Sequence, residues 1–376
     1  MSPTVLLVND VASIGGGQTV MLDVARVLVD AGFEAHIACP PGYLADEAAV
    51  VGAKWHEFEF GERRMLSRRW RVPHPRGIAA RVEEGRRLVA LAAEVQADIV
   101  HTGALVPHVD TVAARRRLRS RTLWHVNQLH PAYLFAGPLP DKIVTVSHAA
   151  LGPSAWRRGV AHRAAVVPNG VDLTRFRPPS PAERATARDA LGVDDRFTIA
   201  TVARLEPLKG VDVLVRAAAR ARSKPTLLVI GDATGFAGGD GYARDLEVLA
   251  TQLGVDARFL GSRRDVSSLL WAADAFAFAS RWEAFGLVLA EASAAGLPVV
   301  TTNAGGCAEV VNEATGVLVD PDDVEGFAHA FDRLAGDPGL RSQQGASGRQ
   351  RAAEHFDVAT LGRRLLPHYL DLVETR

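Results

Sequence analysis

Ala275 to Asp323 reads AFAFASRWEAFGLVLAEASAAGLPVVTTNAGGCAEVVNEATGVLVDPDD. AFAFAS is a short apolar strand that ends on a polar residue, Phe285-Gly286 turns into a helix, Gly296 and Pro298 stop that helix, and VVTT is the next strand. Glu283 falls in the loop before the helix and Glu291 inside it, with seven residues between them. Counted as helix throughout, that spacing rises about 12 Å and turns about 800°, leaving the two carboxylates within a quarter-turn of one face. Such a pair is too widely spaced to grip one small atom. It suits the two ends of an extended anion whose phosphates lie over the helix N-terminus, where free N–H groups and the dipole favour negative charge.

Working outward, strands and helices alternate in two runs. The first has strands at 5–9, 35–39, 55–60, 99–102, 122–126, 143–146 and 165–167, with helices notably at 18–30 and 78–95. Residues 173–181, rich in proline and polar side chains, read as a linker. The second run has strands at 197–202, 227–230, 258–260, 275–279, 299–302 and 317–319. Alternation of this kind predicts an α/β fold of two doubly wound, Rossmann-like parallel sheets facing across a cleft, with ligands at the C-terminal ends of the strands. The expected domains are 1–180, 181–355 and a final helical segment, 356–376. A chain of 376 residues suits two domains. A formal net charge of +0 argues against a nucleic-acid partner. The opening MSPTVLLVND has no basic leader and no apolar run is long enough to cross a bilayer, so the expectation is a cytoplasmic protein. Cys39 and Cys307 make no disulfide or zinc pattern.

The window resembles the E-x7-E signature of retaining glycosyltransferases with the GT-B fold, in particular glycosyltransferase family 4. Ser280 stands where that family has S-x-x-E, and Gly305-Gly306 with Glu309 matches G-G-x-x-E-V. TVARLEPLKG, Thr201 to Gly210, matches G-R-L-x-x-x-K-G with Ala203 in place of the first glycine. Val167 to Asp172 matches V-P-N-G-V-D, and Ser147 matches the strand-then-Ser before it. The likeness extends over nearly the whole chain.

The resemblance implies that Glu291 accepts hydrogen bonds from ribose hydroxyls and that Glu283 lies by the transferred sugar. Arg204 and Lys209 can neutralise a pyrophosphate, one as a planar fork and one as a point charge, so no metal or other cofactor is called for. Alone, that pair reads as a solvated helix start; it is the downstream window with Glu283 and Glu291 that gives it the phosphate role. Backbone N–H groups of Ala284, Phe285, Gly286 and Leu287 are expected on the sugar and distal phosphate. Backbone groups around Arg258–Ser262, those of Arg258 and Leu260 among them, are expected on the base. Gly210 reads as close packing. The loop Gly15 to Gly17 resembles the family's N-terminal glycine loop, with Gly16 and Gly17 near the donor phosphates, although Gln18 stands where Glu is common; a turn without chemistry is the other reading. His125 matches a family histidine by the donor sugar, against the alternative of a satisfied buried imidazole, and Asn127 departs from the family's His-Asp pattern. His101 is a weaker candidate, and Ser147 reads as ligand or helix cap.

The arginine-rich stretch Arg63 to Arg76 reads as an acceptor loop or solvated charge ahead of a peripheral contact with anionic lipid, because prolines break any long amphipathic helix. Asp232 to Gly241 borders the nucleotide or is a loop without chemistry. The expected activity is transfer of a sugar from a nucleotide diphosphate sugar, a UDP-sugar by preference, to an unidentified hydroxyl acceptor with retention at the anomeric carbon. A nucleotide-sugar 2-epimerase and a non-catalytic sugar-nucleotide-binding module are the alternatives.

Overall fold

The computed structural model describes residues 2–11, 15–60, 75–103, 105–127, 140–152, 164–234 and 239–375. The chain divides into two compact units, Met1–Gly170 with Val358–Arg376, and Val171–Asp357.

In the first unit the strands are β1 (Thr4–Val8), β2 (Glu34–Cys39), β3 (Lys54–Glu57), β4 (Ile99–Thr102), β5 (Arg121–Val126), β6 (Lys142–Thr145) and β7 (Ala164–Val166). They pair in the order β3-β2-β1-β4-β5-β6-β7, every pair parallel. Parallel sheets are covered on both faces, so their strands read as continuous apolar runs rather than alternating ones. TVLLV of β1 is buried throughout. One side of its core holds Leu6, Val8, Phe58, Leu88 and Val100. β3, at the sheet edge, is largely exposed and carries Lys54 and Glu57, charges that discourage pairing with another chain.

The second unit holds β8 (Thr198–Val202), β9 (Thr226–Ile230), β10 (Ala257–Phe259), β11 (Ala275–Phe278), β12 (Val299–Thr302) and β13 (Gly316–Val319). Their order is β10-β9-β8-β11-β12-β13, again all parallel. Strand order reverses between β8 and β11, and ligands of open α/β sheets collect at the strand C-termini beside such a reversal. The segments that follow β8 and β11 are 203–209 and 279–286.

All thirteen expected strands form, within a residue or three at their ends. The unit boundary differs from the expected 180/181. Val171 N–H donates to the Phe356 carbonyl at 2.6 Å, Arg349 donates to the Leu173 and Phe176 carbonyls, and the Trp271 indole donates to the Arg177 carbonyl. These bonds fasten 171–177 to the second unit, so the stretch read as a linker is part of that unit's body. A helix then starts at Pro181 behind a Ser180–Glu183 capping box. At the far end the first unit resumes at Val358. Its last helix, Val358–Glu374, packs on the helix Gly16–Asp30 and on β4, burying Leu361, Leu365 and Tyr369. Among the described residues no helix is long and apolar enough to cross a membrane.

Candidate functional site

The two segments that leave β8 and β11 lie against each other. Gly210 closes the 3₁₀ turn Pro207–Lys209 at φ 65°, and a Cβ there would stand 2.0 Å from the Ala279 carbonyl oxygen. Only glycine permits that approach and that conformation. The Arg281 N–H donates to the Leu208 carbonyl at 2.8 Å, and Ser280 Oγ donates to the same oxygen at 3.3 Å and to Trp282 O at 2.8 Å. So held, Lys209 Nζ meets Glu283 Oε2 at 2.7 Å, both side chains more than four-fifths buried. Lys209 also stands over the Phe278 ring, 5.8 Å from its centroid. The other carboxylate oxygen of Glu283 accepts from its neighbour Ala284 N–H at 3.3 Å.

The Gly305-Gly306 pair is explained by the same carboxylate's backbone. A Cβ on Gly305 would lie 2.0 Å from the Glu283 carbonyl oxygen, and one on Gly306 2.1 Å from that of Ala284. Gly306 N–H donates to the Glu283 carbonyl at 2.8 Å. The segment after β12 thus forms the bed under the Glu283 loop. Beside it Cys307 is fully buried; burial first, then the Glu283 charge, pushes its thiol up to about 11, so it stays protonated.

The helix after the loop, Leu287–Ala294, begins only at Leu287. Only half of the spacing from Glu283 to Glu291 is therefore helical, and the helical part rises about 6 Å rather than the 12 Å expected from continuous helix. In its first turn the Leu289 N–H donates to the Gly286 carbonyl at 2.9 Å, and the N–H groups of Leu287 and Val288 have no acceptor within the helix. Phe285 and Leu287 are buried by their side chains, which leaves the backbone as what they can offer a ligand, whereas Ala284, also buried, already gives its N–H to Glu283 Oε1. The Glu291 carboxylate makes no hydrogen bond among the described residues, while its carbonyl accepts from the Ala295 N–H at 2.9 Å. Desolvation raises its pKa from 4.5 to about 7, and Arg175 acts in the opposite direction.

Other expected residues fall out differently. Arg204, about half exposed, pairs with Glu206 at 3.0 Å. Around the expected base site, the Arg258 guanidinium is taken by Asp256 and by the Leu191 carbonyl, and the Leu260 N–H donates to Val229 O at 2.8 Å. The Arg258 side chain is thus held by its surroundings, which bears on no backbone group of the stretch. In the first unit, Gly16 and Gly17 open the helix Gly16–Asp30, and a Cβ on either would meet nothing within 4 Å. Gln18 donates to Asn9 Oδ1 at 3.3 Å. His125 is 1% exposed, burial lowers its pKa to about 4, and its Nε2 has no partner among the described residues. It is therefore a neutral imidazole. His101, its ring tilted beside that of His125 with centroids 5.4 Å apart, is bonded through Nδ1 to Tyr369 Oη at 2.5 Å. Ser147 Oγ accepts from Ala150 N–H at 3.0 Å, as a cap does. Residues 61–74 and 235–238, and with them most of Arg63 to Arg76 and the middle of Asp232 to Gly241, lie outside the described residues.

Sequence reading passed over Arg281. Its guanidinium holds both carboxylate oxygens of Asp212 at 3.2 and 3.1 Å, bonds Asp322 at 2.8 Å, and donates to the Pro207 carbonyl. Tyr242 Oη steadies Asp212 at 3.0 Å. The available signal was opposite charge on the two segments beside the strand reversal, Asp212 after one and Arg281 on the other.

Two family models match the chain: "Glycosyltransferase Family 4" over residues 14–175 and "Glycosyl transferases group 1" over residues 183–351. A GDP-mannose-dependent monoacylated alpha-(1-6)-phosphatidylinositol monomannoside mannosyltransferase of Corynebacterium glutamicum is 34% identical over 212 residues, 53% of this chain and 54% of that protein. A D-inositol 3-phosphate glycosyltransferase of Mycobacterium sp. (strain KMS) is 42% identical over 197 residues, 50% of this chain and 42% of that one. The chain thus spans about half the length of the curated relatives it matches. Among solved structures, Anabaena Alr3699/HepE in complex with UDP and glucose superposes with a TM-score of 0.84 at 24% identity, covering 98% of this chain and 100% of that one. Sucrose-phosphate synthase from Thermosynechococcus elongatus gives 0.83 at 20% identity over 100% of both. These likenesses carry the fold, two Rossmann-like domains of the GT-B type. With one model on each unit, and the motifs of both in place, the chain belongs to glycosyltransferase family 4.

Proposed function

We propose that the protein transfers a sugar from a nucleotide diphosphate sugar to a hydroxyl acceptor with retention at the anomeric carbon. The observation that carries this reading is the meeting of Lys209 and Glu283, brought from two neighbouring strands on either side of the strand reversal to 2.7 Å. A cation and a carboxylate so placed serve the two charges that separate when a glycosyl phosphate breaks. Lys209, with Arg204, meets the negative charge growing on the diphosphate, and Glu283 faces the positive charge growing at the anomeric carbon. Because the pair is already desolvated and hydrogen-bonded before reaction, little reorganisation accompanies the charge separation. Glu291 receives the ribose hydroxyls, and the Leu287 and Val288 N–H groups at the start of the helix Leu287–Ala294 receive phosphate oxygens. The leaving phosphate oxygen takes the acceptor's proton.

A UDP-sugar is the favoured donor: Anabaena HepE was crystallised with UDP-glucose. The Corynebacterium relative is GDP-mannose-dependent, so GDP-mannose is the competing choice. The deciding experiment follows UDP-glucose and GDP-mannose by ³¹P and ¹H NMR, with and without candidate acceptor alcohols. Release of nucleoside diphosphate with an α-glycoside or α-sugar formed first supports the proposal. Conversion of the donor alone into its 2-epimer would replace it with an epimerase, and nucleotide binding without any turnover would leave a binding module.

A further inference from the structure

Lys209 is not held by its own turn alone. Three residues long and 3₁₀ in form, the turn Pro207–Lys209 has few bonds of its own, and the segment beside it supplies the rest. Arg281 contributes at two points, its backbone N–H on the Leu208 carbonyl and its guanidinium on the Pro207 carbonyl. The remaining guanidinium donors are fixed from outside the site by Asp212, on the helix Val211–Arg220, and by Asp322. Asp322 itself sits at φ 64°, a left-handed conformation that an aspartate tolerates at some cost. An arginine fork is the side chain able to satisfy two carboxylates and a carbonyl together. No bond of the Arg281 guanidinium goes to Lys209 or Glu283 themselves.

We propose that Arg281 is a positioning residue: clamped by Asp212 and Asp322, it sets the Pro207–Lys209 turn so that Lys209 reaches both Glu283 and the donor's diphosphate. The inference rests on the donor-site reading above and adds to it a residue that acts only through Lys209.

Calorimetric affinities for UDP, GDP, uridine and guanosine test it, using the full chain and the tighter of the two diphosphates. Arg281→Gln is expected to weaken the diphosphate about ten-fold, the scale of one charge-assisted contact, and to leave the nucleoside within about two-fold. Arg281→Lys recovers part of the loss. In a Lys209→Ala background, Arg281→Gln should cost about two-fold or less, since the group through which it acts is gone. An additive ten-fold loss in that background, or equal losses for diphosphate and nucleoside, overturns the inference. Should Arg281→Gln not fold, Asp322→Asn, which removes one exposed half of the clamp, is read by the same two comparisons. If Lys209→Ala itself leaves diphosphate affinity unchanged, or wild type binds neither diphosphate, the donor-site reading fails and this inference with it. If Lys209→Ala weakens the diphosphate while Arg281→Gln and Asp322→Asn do not, the inference alone fails.

Discussion

Glu291 stands unpartnered where burial has raised its pKa to about 7, and a nucleotide's ribose is the partner proposed for it. A carboxylate accepts two hydroxyl hydrogen bonds well only when ionised. Nucleotide affinity should therefore fall as pH drops through 7 and become flat with pH in Glu291→Gln; calorimetric titrations with UDP at pH 6 and pH 8 read this directly. The stability consequence has the opposite sign. Between the unfolded value near 4.5 and the folded value near 7 the native protein holds a proton that the unfolded chain releases. This residue's contribution to stability thus declines as pH rises through that window, and Glu291→Gln removes the decline, as urea melts at pH 5 and pH 8 would register. For Lys209→Ala we expect about 1.5–3 kcal/mol less binding of a nucleoside diphosphate and no comparable loss for the nucleoside. The identities of Lys209, Glu283 and Glu291 were legible because each sits at fixed spacing from a glycine or a strand end. Arg281 was not, since its partners Asp212 and Asp322 lie 69 and 41 positions away in the chain.

At the scale of elements, the glycines divide into two kinds. Gly306 has carbonyl oxygen where a methyl would go, whereas Gly16 has empty space. Gly306→Ala should destabilise the second unit by about 1–3 kcal/mol in denaturant melts, because the Glu283 loop must shift to admit it. Gly16→Ala should leave the melt within about 0.5 kcal/mol. If Gly16→Ala nonetheless lowers turnover, the room at that position is for a ligand, as the resemblance implies; unchanged turnover would reduce the loop to a turn. Every strand could be read beforehand, since buried parallel strands are short apolar runs closed by polar or glycine residues, and that pattern is local. Helix beginnings were less legible. The segment opened by Pro207 is a 3₁₀ turn before its helix, whereas the helix bearing Glu291 opens at Leu287, directly after the Phe285-Gly286 turn that announced it.

Over the whole molecule, the chain leaves the second unit's boundary at Val171 and Asp357, which are paired in a parallel bridge. The expected boundary near 180 missed this because proline-rich composition suggests a linker, whereas Arg349 and Trp271, far along the chain, bind the stretch down. The last helix belongs to the first unit through Tyr369, fully buried and bonded to His101. Tyr369→Phe should cost about 1–3 kcal/mol of stability by leaving the His101 Nδ1 unsatisfied, with nucleotide affinity unchanged; a silent melt would contradict this role for the helix. The central claim is that Lys209 and Glu283 form the charge pair of a glycosyl-transfer site. It is tested most directly by ³¹P NMR of UDP-glucose and GDP-mannose with wild type and with Glu283→Gln, at saturating donor. The account predicts nucleoside diphosphate release by wild type, slowed about 100-fold or more in the variant with donor affinity nearly intact, a loss made in the transition state. Equal release rates for the two proteins, or a variant changed only in KM, would contradict it.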